Sequence, residues 1–329
     1  MKKLFSLVVL MLFLLPSICE AKVIALGSVS YGMPVPQHQS LDWGITDTNV
    51  QKWWRQGYTG RNVKIAVIDT GVDYYHPDLK GAIAGGVSFI KGENYWTDYN
   101  GHGTGVIGEI AAQNNHIGSV GVAYNAKIYA VKAMDRNGSG TLSHLILAVN
   151  WCIIHKMNII NMSLGLSNDE TKSPLFKILE RVINQAYAHG ILIVAASGND
   201  GINQVDYPAN FKNVIAVGGA YEAYNAQTGK TSIGWTDFSN YSNKIEVIAP
   251  SAFVYSTYPM NLMPVFNDYR GYEHMIGTSM AAPYVAGFLA LLKQKYPRDT
   301  PVQLRNLLHI NTIPVSPRAN TGYGFLYAK

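Results

Sequence analysis

Cysteine is nearly absent from this chain, with Cys19 and Cys152 the only two among 329 residues. Cys19 falls in an N-terminal stretch that reads as a leader. One thiol remains beyond it, and a lone thiol makes no internal disulfide, so a disulfide-stapled fold is excluded. Charge is scarce too: 14% of residues are Asp, Glu, Lys or Arg and the formal net charge is only +5. No Lys/Arg-rich run or basic stripe with interleaved aromatics occurs, which argues against nucleic acid as a partner. Past the first apolar run no hydrophobic stretch reaches the ~20 residues that cross a bilayer. Internal repeats, low-complexity tracts and long linkers are also missing. What remains, with 48% hydrophobic residues, is a chain able to bury one large core.

Lys2 and Lys3 precede an apolar run from Leu4 to Leu15, followed by Pro16 and small or polar residues up to Ala21. This is the charge order and length of a secretory signal peptide over residues 1–21. Pro16, Ser17 and Ile18 before Cys19 are a poor match to a lipid-attachment site. The expected organisation is a signal peptide (1–21), a short N-terminal segment (22–42) and a single catalytic-size domain (43–329). The protein is expected to be exported; periplasm, cell surface and medium all stay open.

Short Val/Ile-rich runs alternate with helical patterns. Strands are expected at 63–69, 127–134, 159–165, 191–199, 214–219 and 245–250, and helices at 103–113, 142–157, 176–189, 278–296 and 301–309. The strands are continuously apolar rather than alternating, which means burial on both faces. The expected fold is therefore α/β, a doubly wound and mostly parallel sheet with helices on both faces. Such sheets hold ligands at the carboxyl ends of their strands. Asp69, Ser163 and Asn199 all fall at expected strand ends. Cys152 lies in a helical stretch with no turn to present it, and reads as a buried structural residue.

Three residues carry the chemistry. Asp69 closes a buried strand (VKIAVIDTG), His102 sits in a glycine-rich turn (NGHGTG), and Ser279 opens an apolar helical run (GTSMAAP). A serine hydroxyl is a weak nucleophile unless a base takes its proton, and the base needs a third group to fix its tautomer. Each residue alone has a plainer reading: a turn cap, an exposed loop histidine, a helix N-cap. Together they are the parts of a nucleophilic serine hydrolase. The amide of Ser279, at a helix start, has no intrahelical partner and suits a developing oxyanion. Asn199, in ASGN, supplies an uncharged second donor.

The segments IAVIDTGVDYYHPDL, GHGT (Gly101–Thr104), NMSLG, AASGND and GTSMAAPYVAG resemble the subtilisin family of serine peptidases, over roughly Trp43 to Leu326. The chain order Asp, His, Ser is that of subtilisin, and no G-x-S-x-G elbow of an α/β-hydrolase occurs. The resemblance implies a secreted endopeptidase acting on protein or peptide substrates through an acyl-enzyme, with catalytic Asp69, His102 and Ser279 and with Asn199 in the oxyanion hole. It implies that Ser163, Leu164 and Gly165 lie alongside an extended substrate, whose backbone would add strand to strand. It also implies a structural Ca2+ near Asp78 (in HPDL) and Asn115, in the loop 113–119. Oxygen donors of this kind suit that hard cation.

The chain departs from the family pattern at Gly105 and Ile107 (HGTGVIG rather than HGTHVAG), at Tyr284 in place of a histidine, and at Leu166 after Ser-Leu-Gly. Asp206 and Asp98 are acidic residues near the cleft that could favour a basic substrate side chain or be solvated loop charges. Secreted subtilisins carry an inhibitory pro-domain of several dozen residues, and 22–42 is too short for one, so no such domain is evident within the chain. Two other readings stay open: a binding protein on an inactive protease scaffold, and an esterase or amidase using the same residues.

Overall fold

The computed structural model describes residues 22–25, 38–166, 170–265 and 270–329. The expected signal peptide lies outside the described residues. Strands are numbered along the chain. A short β1 (Lys22–Ala25) precedes β2 (Lys64–Asp69), β3 (Ile83–Ser88), β4 (Lys127–Lys132), β5 (Ser139–Thr141), β6 (Ile159–Met162), β7 (Leu164–Leu166) and β8 (Leu192–Ala196). Then come β9 (Ile215–Asn225), β10 (Lys230–Trp235), β11 (Val247–Pro250), β12 (Val254–Thr257), β13 (Tyr272–Met275), β14 (Thr312–Ile313) and β15 (Phe325–Leu326).

The central sheet runs β14-β15-β11-β9-β8-β6-β2-β4-β3, with β10 hydrogen-bonded to β9. Every pairing from β11 through β3 along this path is parallel. The apolar strands are buried on both faces, as their sequence demands. Along β2, Ile65 and Val67 enter one core while Ala66 and Ile68 enter the other, the alternation a pleat imposes. Helices His102–Ala111 and Thr278–Lys295 contribute to the first core, and Leu142–Ile154 and Pro174–Ala188 to the second. This is the doubly wound arrangement expected from the sequence, with helix boundaries shifted by at most a few residues.

Helix Thr278–Lys295 is apolar all round and is buried without a break from Thr278 to Leu292, as such a helix must be. It therefore lies inside the protein, and its N-terminus opens at the carboxyl edge of the sheet. The hairpin β9–β10 departs from expectation: β9 continues six residues beyond the expected strand end at 219 and turns back antiparallel. Its outer half is polar and exposed, so hydrophobic pattern gave no sign of it. A second small sheet, β5-β1-β7, stands apart from the central one.

Cys152 is a free thiol and fully buried, as expected, and burial pushes its pKa up. No described helix is long and apolar enough to cross a membrane.

Candidate active site

Three adjacent parallel strands, β2, β6 and β8, bring Asp69, Ser163 and Asn199 to one edge of the sheet. Asp69 is the last residue of β2, Ser163 follows β6, and Asn199 lies three residues past β8. Neighbouring strands are ~4.8 Å apart, so the carboxyl ends form a short rim. Two helices begin at that rim with His102 and, one residue in, Ser279.

The His102 turn is built from buried hydrogen bonds. Asp98 Oδ1 accepts from the backbone N–H of Asn100 at 3.0 Å and of Gly101 at 2.9 Å, and from Thr70 Oγ1 at 3.0 Å. Its Oδ2 accepts from Thr104 N at 2.9 Å and Thr104 Oγ1 at 2.7 Å. Asp98 is 1% exposed, so it caps the helix start and does not reach a substrate, which removes one of the two acidic candidates. Gly101 takes φ 100°, and a Cβ there would lie 2.4 Å from the Tyr258 ring; both facts demand glycine. His102 Nδ1 then meets Asp69 Oδ1 at 2.8 Å, both side chains being almost wholly buried. Asp69 Oδ1 also accepts from Thr70 N at 2.7 Å.

The Ser279 side of the rim is tied down twice. Asn199 Oδ1 accepts from Thr278 N at 2.9 Å and from Thr278 Oγ1 at 2.8 Å. With its oxygen so engaged, the half-buried Asn199 amide keeps its NH2 for another acceptor. Pro283 stands four residues after Ser279 and has no N–H, so the helix offers no donor to the Ser279 carbonyl. Ser163 Oγ fills that gap, donating to Ser279 O at 2.7 Å while accepting from Asn161 Nδ2 at 3.0 Å. The Ser163 side chain is thus committed to the helix, and any contact it makes with a substrate is through its backbone. Ser279 Oγ is buried and has no hydrogen-bond partner among the described residues.

One neighbour was missed in the sequence. Lys132, at the end of β4, is fully buried and pairs with Glu93 Oε2 at 2.9 Å, its ammonium also donating to Thr70 O beside Asp69. Nothing in the pattern of β4 distinguishes this lysine from an exposed strand-end residue.

Asp206 is half-buried and lies against Gly198, next to Asn199. Its Oδ1 accepts from Asn240 Nδ2 at 3.2 Å. Burial and the neighbouring Asp200 raise its pKa to about 7.

The departures at Gly105 and Tyr284 have local causes. A Cβ at Gly105 would lie 2.3 Å from Met275 Sδ, so Met275 occupies the space of a side chain there. Tyr284 is buried and donates its hydroxyl to Asp42 Oδ2 at 2.9 Å.

Asp78 and Asn115 lie away from the rim and converge on one loop. Asp78 is fully buried and accepts from Ser119 N at 3.0 Å and Gln113 N at 3.2 Å. Burial pushes its carboxyl up to about 7. The Gln39 amide nitrogen lies 2.9 Å from Gln113 O, 3.2 Å from Ile117 O, 3.4 Å from Asn115 Oδ1 and 3.5 Å from Ser119 O. Four oxygens thus gather around a single side-chain tip. Gln39 was not singled out in the sequence, being a lone amide 76 residues from Asn115. No cluster of three His, Cys, Asp or Glu residues occurs among the described residues, so a metal on this loop would depend mainly on carbonyl and amide oxygens.

A parallel α/β sheet whose carboxyl edge holds a buried His–Asp pair, with a serine at the start of a buried helix, defines a class, and comparison with known proteins places the chain in it. Residues 60–325 match the model of the subtilase family. The chain belongs to that family and is a serine endopeptidase. It is 41% identical to Subtilisin DY of Bacillus licheniformis over 295 residues, which cover 88% of this chain and 96% of the relative. It is 40% identical to Subtilisin Savinase of Lederbergia lenta over 87% of this chain and 96% of the relative. A Thermostable alkaline protease of Halalkalibacterium halodurans is 41% identical over 88% of this chain and 73% of its own length.

Proposed function

We propose that the protein is an exported serine endopeptidase that cleaves peptide bonds through an acyl-enzyme formed on Ser279. Ser279 Oγ attacks the scissile carbonyl, His102 takes its proton and returns it to the leaving amine, and Asp69 holds the imidazole in the tautomer that accepts at Nε2. The Ser279 amide and the Asn199 NH2 receive the oxyanion. Leu164 and Gly165, with the backbone of Ser163, carry the extended substrate. The observation that supports this most is the pairing of two fixed donors' supports at one rim: His102 Nδ1 on Asp69 Oδ1, and Asn199 Oδ1 on the Thr278 N–H. An asparagine whose oxygen is already engaged presents its donor without reorganisation, which is where such a group gains its effect.

Calcium fits the loop at Asp78. The oxygens there are those of a buried carboxylate, the Asn115 side-chain amide and the carbonyls of Gln113, Ile117 and Ser119, a set suited to a hard cation, and the Gln39 amide, whose nitrogen faces them, would have to turn its oxygen inward to join it. The Asp78 carboxyl, pushed up by burial, would be held in its charged form by such a cation. Bound calcium would supply structural closure, holding the loop 113–119 against Asp78, and no chemical step depends on it.

The test is casein hydrolysis by the mature chain and its Ser279→Ala variant, with a fluorophosphonate probe read by intact mass. The expected result is a probe adduct and proteolysis in the parent chain and neither in the variant. A folded, calcium-loaded chain giving neither signal would sink the mechanism. An adduct without casein cleavage would shift the reading to small esters or a narrow peptide set.

A further inference from the structure

A fully buried lysine is rare, because an ammonium out of water is costly unless it is paired. Lys132 is such a residue, and an apolar side chain of the same length would fill its place without that cost. What only the ammonium supplies is its contacts: it lies 2.9 Å from Glu93 Oε2 and donates to the carbonyl of Thr70. Glu93 is 9% exposed, and its other oxygen meets Arg136 Nε at 3.4 Å, on a side chain mostly in solvent. Lys132 and Asp69 are register partners on β4 and β2, so their side chains leave the sheet on the same face. The ammonium nonetheless goes to Glu93 and Thr70, and Asp69 Oδ2 has no hydrogen-bond partner among the described residues. Glu93 thereby leaves the charge of Asp69 to the imidazole.

Thr70 is the joint between Asp69 and the His102 helix. Its N–H donates to Asp69 Oδ1 at 2.7 Å. Its hydroxyl accepts from Gly103 N at 2.9 Å, in the first turn of that helix, and donates to Asp98 Oδ1 at 3.0 Å. The next residue, Gly71, takes φ 108°, and a glycine leaves the tilt of the preceding carbonyl poorly fixed by its own backbone. A Cβ at Gly103 would lie 2.3 Å from Gly71 O and 3.1 Å from Asp69 Oδ1. The segment 69–71 and the helix therefore touch backbone to backbone, and a shift in one is carried to the other. A donor on the Thr70 carbonyl holds this joint from the side away from His102.

We propose that Lys132 is a positioning residue for the hydrolysis: with Glu93 as counter-ion it clamps the Thr70 carbonyl, and so holds Asp69 Oδ1 and the start of the His102 helix in register for their hydrogen bond. This rests on the roles given above to Asp69 and His102. Misplacing a catalytic group by about 1 Å costs up to ~10²-fold in rate. Disabling the orienting aspartate of a serine protease triad costs ~10⁴-fold. Releasing the clamp belongs to the first range, with an expected loss in kcat of about 10- to 100-fold. The ammonium acts through Thr70 and not on the substrate, so KM stays within about twofold.

The experiment compares the full exported chain with Lys132→Met, which keeps the length of the stem and removes the ammonium. Lys132→Met leaves Glu93 without its buried partner, so a second variant, Lys132→Met/Glu93→Gln, removes both charges; replacing a buried ion pair together is far milder than breaking it. Should the single variant unfold, the double variant decides. Two quantities are read: kcat and KM on a tetrapeptide p-nitroanilide, and the low-field proton resonance of His102 Nδ1–H in a Ser279→Ala background. That resonance reports the bond to Asp69 itself, which a loss of general stability would not move in a chain still folded. The expected result is a displaced or exchange-broadened resonance, with kcat about 10- to 100-fold lower and KM nearly unchanged. An unchanged resonance, or an unchanged kcat, in a folded variant would overturn the proposal. The hydrolase reading is judged separately. Fluorophosphonate labelling of the parent chain with kcat and resonance equal in all chains sinks the positioning role alone, and a folded parent chain that neither labels nor hydrolyses sinks the hydrolase reading.

Discussion

Glu109 gives the sharpest quantitative prediction. It lies in helix His102–Ala111, is 4% exposed, and neither carboxyl oxygen has a hydrogen-bond partner among the described residues. Burial, and then the charge of Asp42, hold its pKa well above 4.5. A group held protonated in the folded state keeps its proton while the unfolded chain loses it. Its contribution is therefore fully present below pH 4.5 and is lost as pH rises toward the folded value. The slope for one such proton is about 1.4 kcal/mol per pH unit. Asp42, raised from 3.8 to about 6 chiefly by burial, adds a similar slope between those values in both chains. Glu109→Gln keeps the shape and removes the titration. The buried amide costs about 1–3 kcal/mol at every pH, so the variant should be weaker at pH 5 and stronger at pH 8, the curves crossing roughly between pH 5 and 7. The assay is urea unfolding at half-unit pH steps in a Ser279→Ala background, which prevents self-digestion. A stability difference that stays constant from pH 5 to 8 would refute the argument.

Asn199→Ala should lower kcat by ~10²–10³ with little change in KM, the size established for loss of this kind of donor in subtilisin; a loss below tenfold in steady-state peptide hydrolysis would remove Asn199 from the oxyanion hole. Calcium at 100 times its Kd should add about 2.7 kcal/mol to stability, and Gln39→Ala should shrink the EDTA-sensitive part of the melting temperature; a melt indifferent to EDTA in both chains would exclude the loop as a cation site. Ser163→Ala leaves the Ser279 carbonyl without its donor at a cost of about 1–3 kcal/mol, and is expected to lower kcat as well as stability; unchanged urea midpoint and kcat would count against that role. Cys152 should react with a disulfide reagent only on unfolding, and rapid labelling of the native chain would contradict its burial.

The sheet and the rim were legible because their signals are local. Continuous Val/Ile runs give buried parallel strands, and Asp69, His102, Asn199 and Ser279 each sit in a short motif at an element end. Other features depend on partners distant in sequence. Gln39 acquires meaning only through oxygens more than seventy residues away. The buried Lys132 reads as a surface residue until Glu93 is placed beside it. β1 is four residues with no periodicity of their own, and its strand character comes wholly from β5 and β7. Asp98 was ambiguous for the opposite reason: an acidic residue before a glycine turn looks solvated, and only the folded turn shows that every oxygen is spoken for.

Pro283 and Ser163 lie 120 residues apart in sequence, and the structure joins their effects at a single carbonyl, that of Ser279. A proline one turn into a helix exposes a carbonyl, and here that carbonyl belongs to the residue proposed to do the chemistry. The hydroxyl that answers it comes from the strand end assigned to the substrate. A change on either side is felt on the other: restoring an N–H at 283 would compete with Ser163 for the same oxygen, and losing the hydroxyl would loosen the start of the helix. Grafting one segment from a relative without the other would therefore risk separating two groups that meet at one carbonyl. Recombination between family members should tolerate crossovers outside residues 163–283 more readily than within them.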